Sequence, residues 1–289
     1  SRRFMDRRTN KLEKIRLFVD KMPSLSTTVS KVLEICSRPD TVPNDLNRVI
    51  ALDPVLAGQV LKLINSAYYS LMNKVTSLTR AIIMLGLNTV KNLALSTAII
   101  RSVSQAKKSR ALPIRAFWAH SIAVGVMAKL LAAGRGLSLA EREEYFVAGL
   151  LHDLGKIPIG DEYTEVLARV ETAQEPLVTV EQQVLGLDHE EVGAMIATKW
   201  KLNAVLTDAI CHHHAPELAA AAHRDLVATV ALADFYVCLF DIGDAGNRYP
   251  DPSRLGSLLA QCQLAWDDLV DLAASVEAEI RKAEIFLQI

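Results

Sequence analysis

Apolar residues recur along almost the whole chain at intervals of three and four, and no stretch alternates with period two, so the pattern predicts an all-α protein. Val29, Val32, Leu33 and Cys36 share one face of a helix that Ser26 opens and Ser37-Arg38-Pro39-Asp40 ends. Leu46, Val49, Ile50 and Leu52 form a short apolar stripe. Asp53-Pro54 then reads as a cap followed by a first-turn proline, opening a helix that carries Leu56, Val60, Leu61 and Ile64. Residues 78–85 read as helical, Gly86 breaks them, and Asn88 is expected to cap a long helix reaching about Ser104. Two helices hinged at a glycine resemble a helix-turn-helix in outline. The second is mainly apolar, however, which favours core packing over insertion into a DNA groove.

The polar stretch Gln105 to Arg110 is the expected boundary between an N-terminal bundle and the rest. Beyond Pro113 a helix should run through Trp118 and His120 to about Ala133, closed by Gly134-Arg135-Gly136. Ser138 and Glu141 form a predicted capping box for the next helix, whose apolar run Phe146 to Leu151 ends in the doublet His152-Asp153. Helices are expected over 161–172 and 180–185. Asp188 with Glu191 makes a second capping box that places His189 in a first turn, with Trp200 near the end of that helix. Residues 203–213 follow, then 226–240, nearly continuous in apolar residues except for Asp234. A Gly/Pro-rich loop over 243–257 leads to one or two terminal helices packed through Trp266, Leu269, Val276 and Ile280. The expected architecture is a multi-helix bundle, an N-terminal helical subdomain packed on a C-terminal one. Its divisions are a basic leader over 1–18, then 19–108, 109–245 and a helical extension over 246–289.

A length of 289 residues leaves room for one large or two modest cores. A composition of 51% hydrophobic and 22% charged residues is that of a globular protein, and no apolar run reads as long enough to cross a bilayer. No membrane partner is expected. A net charge of -1 offers no general field for nucleic acid, the least favoured partner. Arg2, Arg3, Arg7, Arg8, Lys11, Lys14 and Arg16 do make the first segment basic, and it reads as a solvated leader rather than a phosphate-binding arm. Cys36, Cys211, Cys238 and Cys262 lack CxxC spacing and lie in apolar surroundings, so they read as buried thiols in a reducing, cytoplasmic setting. The chain starts at Ser1 without an initiator Met or a signal-peptide run, and reads as a processed or excised piece with sequence upstream.

The doublet is where chemistry concentrates. A buried imidazole and carboxylate need partners, and a metal ion is one such partner, provided other helices supply further ligands. The seven histidines all lie between residues 120 and 223. His120 alone could be a hydrogen-bonded core histidine, and Asp234 alone could pair with an arginine or cap a helix. Helices of one bundle can nevertheless aim such groups at a common point.

The order His120, His152-Asp153, Asp234 resembles the HD superfamily of metal-dependent phosphohydrolases. His189 and the doublet in His213-His214-Ala215-Pro216 resemble the extra histidines of its HD-GYP branch. That resemblance implies one metal on His120, His152, Asp153 and Asp234, and a second on Asp153, His189, His213 and His214, with Asp153 bridging. It also gives Lys156 a role at substrate phosphate, so that Asp153 and Lys156 are the candidate catalytic residues. The implied cofactor is a pair of divalent transition metals, iron first, with Mn, Ni, Co or Zn also compatible with imidazole and carboxylate. His212 and His223 fall outside the matching phrases. No Gly-Tyr-Pro element lies between His214 and Asp234, a departure from that branch. Met22-Pro23-Ser24-Leu25, Asp53-Pro54, Asn65-Ser66-Ala67-Tyr68 and Arg80 to Gly86 look instead like the HDOD family, a signalling output module, over roughly Val19 to Phe240. The resemblance implies a bacterial-type regulatory module that retains a dinuclear site and contacts a signalling protein. The alternative is a phosphohydrolase or cyclic-dinucleotide phosphodiesterase with a phosphoester or nucleotide ligand.

Overall fold

The computed structural model describes residues 2–104 and 109–288, with side chains from Thr9 onward. Among them all regular structure is helical, as the apolar periodicity predicts. Helix α1 (Arg2–Lys21) is followed by α2 (Thr27–Cys36), α3 (Pro43–Ile50), α4 (Pro54–Ile64) and α5 (Leu78–Leu85), which pack around α6 (Leu87–Ser104). The second half contains α7 (Ile114–Gly134), α8 (Leu139–Leu151), the single turn α9 (Lys156–Ile159), α10 (Tyr163–Ala173), α11 (Leu177–Val184), α12 (His189–Trp200), α13 (Ala204–His212) and α14 (Arg224–Leu239). Helices α15 (Leu255–Cys262) and α16 (Trp266–Ala283) close the chain. The antiparallel pair α7 and α8 is the hub: α6 reaches it from the first half, and α14, α16 and α13 from the second. One continuous apolar core runs from Ile15 to Phe286.

Local signals act as expected at several starts. Ser26, Asp53, Ser138, Asp188 and Asn203 each accept from a first-turn amide, and both predicted capping boxes close. The loop after α4 is held by Asn65, which donates to Val75 O at 2.8 Å and accepts from Val75 N at 2.7 Å. Tyr68 in that loop meets Phe146 of α8 and Phe286, with ring centroids 5.4 Å apart in both pairs. Lys129 of α7 lies 4.1 Å over the Tyr68 ring and pairs with buried Glu143 of α8, so this junction joins the two halves beside the helix that carries the His-Asp doublet.

Other expectations are corrected. Helix α6 starts at Leu87, because Gly86 (φ +87°) already makes the turn, so Asn88 lies inside the first turn instead of capping it. Pro176 precedes α11, which therefore begins three residues before the expected Val180. Helix α15 starts inside the expected 243–257 loop. The described part of the basic leader is docked, not solvated: Ile15 and Val19 are buried, and Lys11 and Lys14 pair with Glu165 (2.6 Å) and Glu162 (3.4 Å). The side chains of Arg2, Arg3, Arg7 and Arg8, and residues 105–108 of the expected boundary, lie outside the described residues. Helix α7 is long and apolar enough to cross a membrane, contrary to the reading of the sequence, but 72% of its most apolar window is buried in this fold. Of the four free cysteines only Cys262 is fully buried, the other three being half-buried.

Candidate metal centre

Close helix contacts bring the polar residues together. At the α7–α8 crossing a Cβ on Gly149 would lie 2.8 Å from the Gly125 Cα, so only glycine allows the helices to approach so closely. That crossing sets His120 of α7 beside His152, the C-cap of α8, with ring centroids 5.7 Å apart. The chain then turns at Asp153 and presses Gly155 onto α12, where a Cβ would lie 1.8 Å from the His189 carbonyl oxygen. His189 begins α12, His213 and His214 follow α13, and Asp234 lies mid-way along α14.

Asp153 is at the centre. Its Oδ2 lies 3.3 Å from His152 Nε2 and 3.5 Å from His120 Nε2, while Oδ1 lies 3.4 Å from His189 Nε2 and 3.6 Å from His213 Nε2. Asp234 Oδ1 completes the first group, 3.1 Å from His120 Nε2 and 3.6 Å from His152 Nε2. In the second group His189 Nε2 is 3.1 Å from both His213 Nε2 and His214 Nε2. All seven sequence-predicted ligand residues, including His214, therefore meet at one place. His120, His152 and Asp234 form one set whose atoms could share a metal ion, and His189, His213 and His214 another. His223 is elsewhere, its Nδ1 2.7 Å from Asp208, and His212 belongs to neither set.

The imidazoles are oriented from behind. A carbonyl oxygen can only accept, so His152 Nδ1 donates to Gly149 O at 2.6 Å and His213 Nδ1 donates to Ala209 O at 3.1 Å. His189 Nδ1 donates to Glu181 Oε2 at 2.6 Å. Each of the three rings thus turns Nε2 inward, the arrangement by which outer partners aim imidazole at a cation. Glu181 is fully buried and also accepts from His189 N (3.1 Å) and Tyr163 Oη (2.5 Å). The sequence reading missed it, although a signal exists: it stands four residues after Leu177, on the apolar face of α11. Glu190, also missed, accepts from His214 N at 2.8 Å.

Electrostatics decide the resting protonation. Burial alone would raise Asp153, but the His152 and Lys156 cations hold it well below the carboxylate range; Asp234 is held low likewise by His120 and His152. Burial would lower His152, yet Asp153 and Asp234 push it up to about 10. His189 is raised against its burial by Glu181. Burial and the neighbouring His213 and His189 depress His214 well below its usual value, which keeps its ring neutral. Lys156 is 1% exposed, and its Nζ donates to Asp153 Oδ2 at 2.6 Å and to Ala245 O at 3.0 Å. The Cys238 thiol donates to Asp234 Oδ1 at 3.4 Å. Three buried polar atoms aimed at the centre, His120 Nε2, His152 Nε2 and Asp153 Oδ1, have no hydrogen-bond partner among the described residues. A shared cation can take the place of the ring protons among converging imidazoles and carboxylates of this kind, and the donor set suits a divalent metal.

The HDOD domain family profile matches residues 22–216. A structure of an HDOD domain protein of unknown function from Geobacter sulfurreducens superimposes with a TM-score of 0.77 at 26% identity, covering 96% of this chain and 98% of that one. An uncharacterized protein of Treponema pallidum is 26% identical over 227 residues, 77% of this chain and 43% of the relative. Ribonuclease Y of Thermus thermophilus is 33% identical over 109 residues, 38% of this chain and 14% of that enzyme. The chain therefore spans less than half the length of these curated relatives. It belongs to the HDOD domain family.

Proposed function

We propose that this HDOD-family chain is a regulatory signalling module built on a dinuclear metal centre. His120, His152, Asp153 and Asp234 would hold one divalent ion and Asp153, His189, His213 and His214 the other. The observation that carries this reading is the division of Asp153: each of its oxygens faces a different group of imidazoles. A carboxylate shared in that way would couple the two sets of ligands and so tie the doublet at the end of α8 to α7, α12, α13 and α14. Loss or exchange of metal would then change how these helices pack, a route by which such a centre could set the state of a signalling partner. Iron is the first expectation, with Mn, Ni, Co or Zn compatible with the donors.

A second reading, phosphoester hydrolysis, is favoured by cavities that reach the cluster from the solvent side, one with His120 in its wall and one lined by His213, His214 and Asp234. The local likeness to a ribonuclease supports the same substrate class. Two bound ions would lower the pKa of a shared water and clamp a phosphoryl group. The chain's own contributions are Asp153, held ionised to bridge, and Lys156, whose buried charge fixes that carboxylate and offsets negative charge in the centre. The test is metal analysis of the purified chain followed by phosphatase and cyclic-dinucleotide assays with Mn or Fe supplied. Turnover abolished by Asp153→Ala supports hydrolysis. Bound metal without turnover, together with a signalling output that Asp153→Ala removes, supports the regulatory module, and less than one equivalent of metal removes both readings.

A further inference from the structure

Beyond α14 the chain folds back over the cluster. Gly243 lies so close to α7 that a Cβ would be 2.3 Å from His120 N, and Asp244 N donates to Ala116 O at 3.2 Å. Ala245 O receives the Lys156 proton described above, so this cover is fixed at three successive residues. Two cavities lie beside this part of the chain. The larger, about 600 Å³, is polar and has His120 in its wall and Arg248 and Tyr249 at its rim. The smaller, about 120 Å³, is lined by His213, His214 and Asp234, with Arg254 beside them. Asn247 lines both.

Two side chains of this cover present polar groups to these cavities. Asn247 is 8% exposed and stands in the lining of both cavities. Its carboxamide offers both a donor and an acceptor to a ligand group that enters either cavity. Arg254 reaches His214 Nδ1 and His213 O only at 3.5 Å, the limit of hydrogen bonding. No carboxylate among the described residues lies within 4.0 Å of its guanidinium. The neighbouring Arg248, by contrast, is neutralised by Glu171 at 2.5 Å and Asp244 at 2.9 Å. Of the two acids that line the small cavity, Asp234 faces His120 and His152, and Asp251 is turned onto Ser253, accepting from its amide at 2.9 Å and its hydroxyl at 2.7 Å.

We infer that Asn247 and Arg254 form the anion-binding side of the centre, placing the phosphoryl group of a phosphate ester in the small cavity and its polar organic part, up to nucleoside size, in the larger one. The inference rests on reading the cluster as a metal centre that engages a phosphate ester. A planar guanidinium offers two parallel donors to phosphoryl oxygens, and the Asn247 amide can donate a third from the lining that the cavities share. Both residues lie past residue 216, where the family match ends, so ligand choice would be set by the chain's own C-terminal part.

Inorganic phosphate is the probe, titrated by calorimetry into wild-type, Arg254→Ala, Arg254→Lys, Asn247→Ala and Arg248→Ala protein, each both Mn-loaded and chelated, with metal content measured on the same samples. Arg254→Ala should weaken phosphate binding about ten-fold or more, Asn247→Ala about three-fold or more, and Arg248→Ala less than about two-fold, with Arg254→Lys between the extremes. Metal content should be the same in all five proteins. Wild-type protein that binds no phosphate at about 10 mM, or an Arg254→Ala protein that binds it as Arg248→Ala does, overturns the inference. The two readings fail separately. Full metal content with no effect of Arg254→Ala removes the anion site alone, and absent metal with a ten-fold effect in the chelated protein removes the metal centre alone.

Discussion

Glu181→Gln gives the sharpest view of how the second imidazole group is held. Glu181 has no exposed surface and receives three donors, His189 Nδ1–H, His189 N–H and Tyr163 O–H, on its two oxygens. A glutamine of the same shape offers one carbonyl oxygen, and its amino group must face at least one of those donors. One charge-assisted bond is then lost and one donor is left unpaired, a loss of about 2–4 kcal/mol. For a chain of this size that corresponds to a midpoint lower by roughly 3–7 °C in the chelated protein, read by calorimetry. His189 is also released from its outer partner, so metal affinity should fall about 10–100-fold by competition with a chelating dye. The loss has a pH signature. Glu181 raises the folded-state pKa of His189, and a raised pKa contributes stability that is fully present below the unfolded value and lost as pH rises through the folded one. The gap between wild type and variant in the chelated protein should therefore be wider at pH 6 than at pH 9. A midpoint within about 1 °C of wild type, together with unchanged metal affinity, refutes the assignment of Glu181 as the anchor of His189.

Three further outcomes are expected. Gly155→Ala would set a Cβ 1.8 Å from His189 O and 2.5 Å from Gly193 N, both backbone atoms, so the loss should be about 3 kcal/mol or more by urea denaturation, and a loss under about 1 kcal/mol contradicts the close packing. In the chelated protein His152, raised from 6.5 to about 10, contributes stability that is complete below pH 6.5 and lost by pH 10, roughly 5 kcal/mol at most. Urea midpoints between pH 6.5 and 9.5 should fall accordingly, and His152→Gln should flatten that slope. At the junction of the two halves, Lys129→Met leaves buried Glu143 without its cation and should cost about 3–5 kcal/mol, whereas Lys129→Met with Glu143→Leu should recover most of it. A double variant no better than the single one speaks against the pair.

Helix class and the capping residues are legible in the sequence because they rest on local periodicity and on single turns, whereas the seven converging histidines and aspartates are legible through the order in which they resemble the HD superfamily and its HD-GYP branch. Ser138 with Glu141 and Asp188 with Glu191 need only their own turn to act. What the sequence conceals depends on distant neighbours. Gly155 reads as a turn residue, yet its reason for being glycine is the His189 carbonyl on another helix. Glu181 stands on the apolar face of α11, but what it holds shows only once Tyr163 and His189 are seen around it. Arg254 carries no motif, and only the fold shows that it stands beside His213 and His214 while Arg248, six residues earlier, is already neutralised. The edges of α6 and α11 shifted for the same reason in reverse, since Gly86 and Pro176 complete their turns without the residues the periodicity would choose.

The proposed dinuclear centre is tested most directly by counting bound ions. Metal-free chain is reconstituted with excess Mn or Fe, dialysed exhaustively, and its metal-to-chain ratio measured by inductively coupled plasma mass spectrometry alongside Asp153→Asn. A ratio of about two for the wild type, falling to one or less when the shared carboxylate of Asp153 is lost, is the predicted result. A wild-type ratio below one contradicts the metal centre, and a ratio of two that Asp153→Asn leaves unchanged contradicts the bridge.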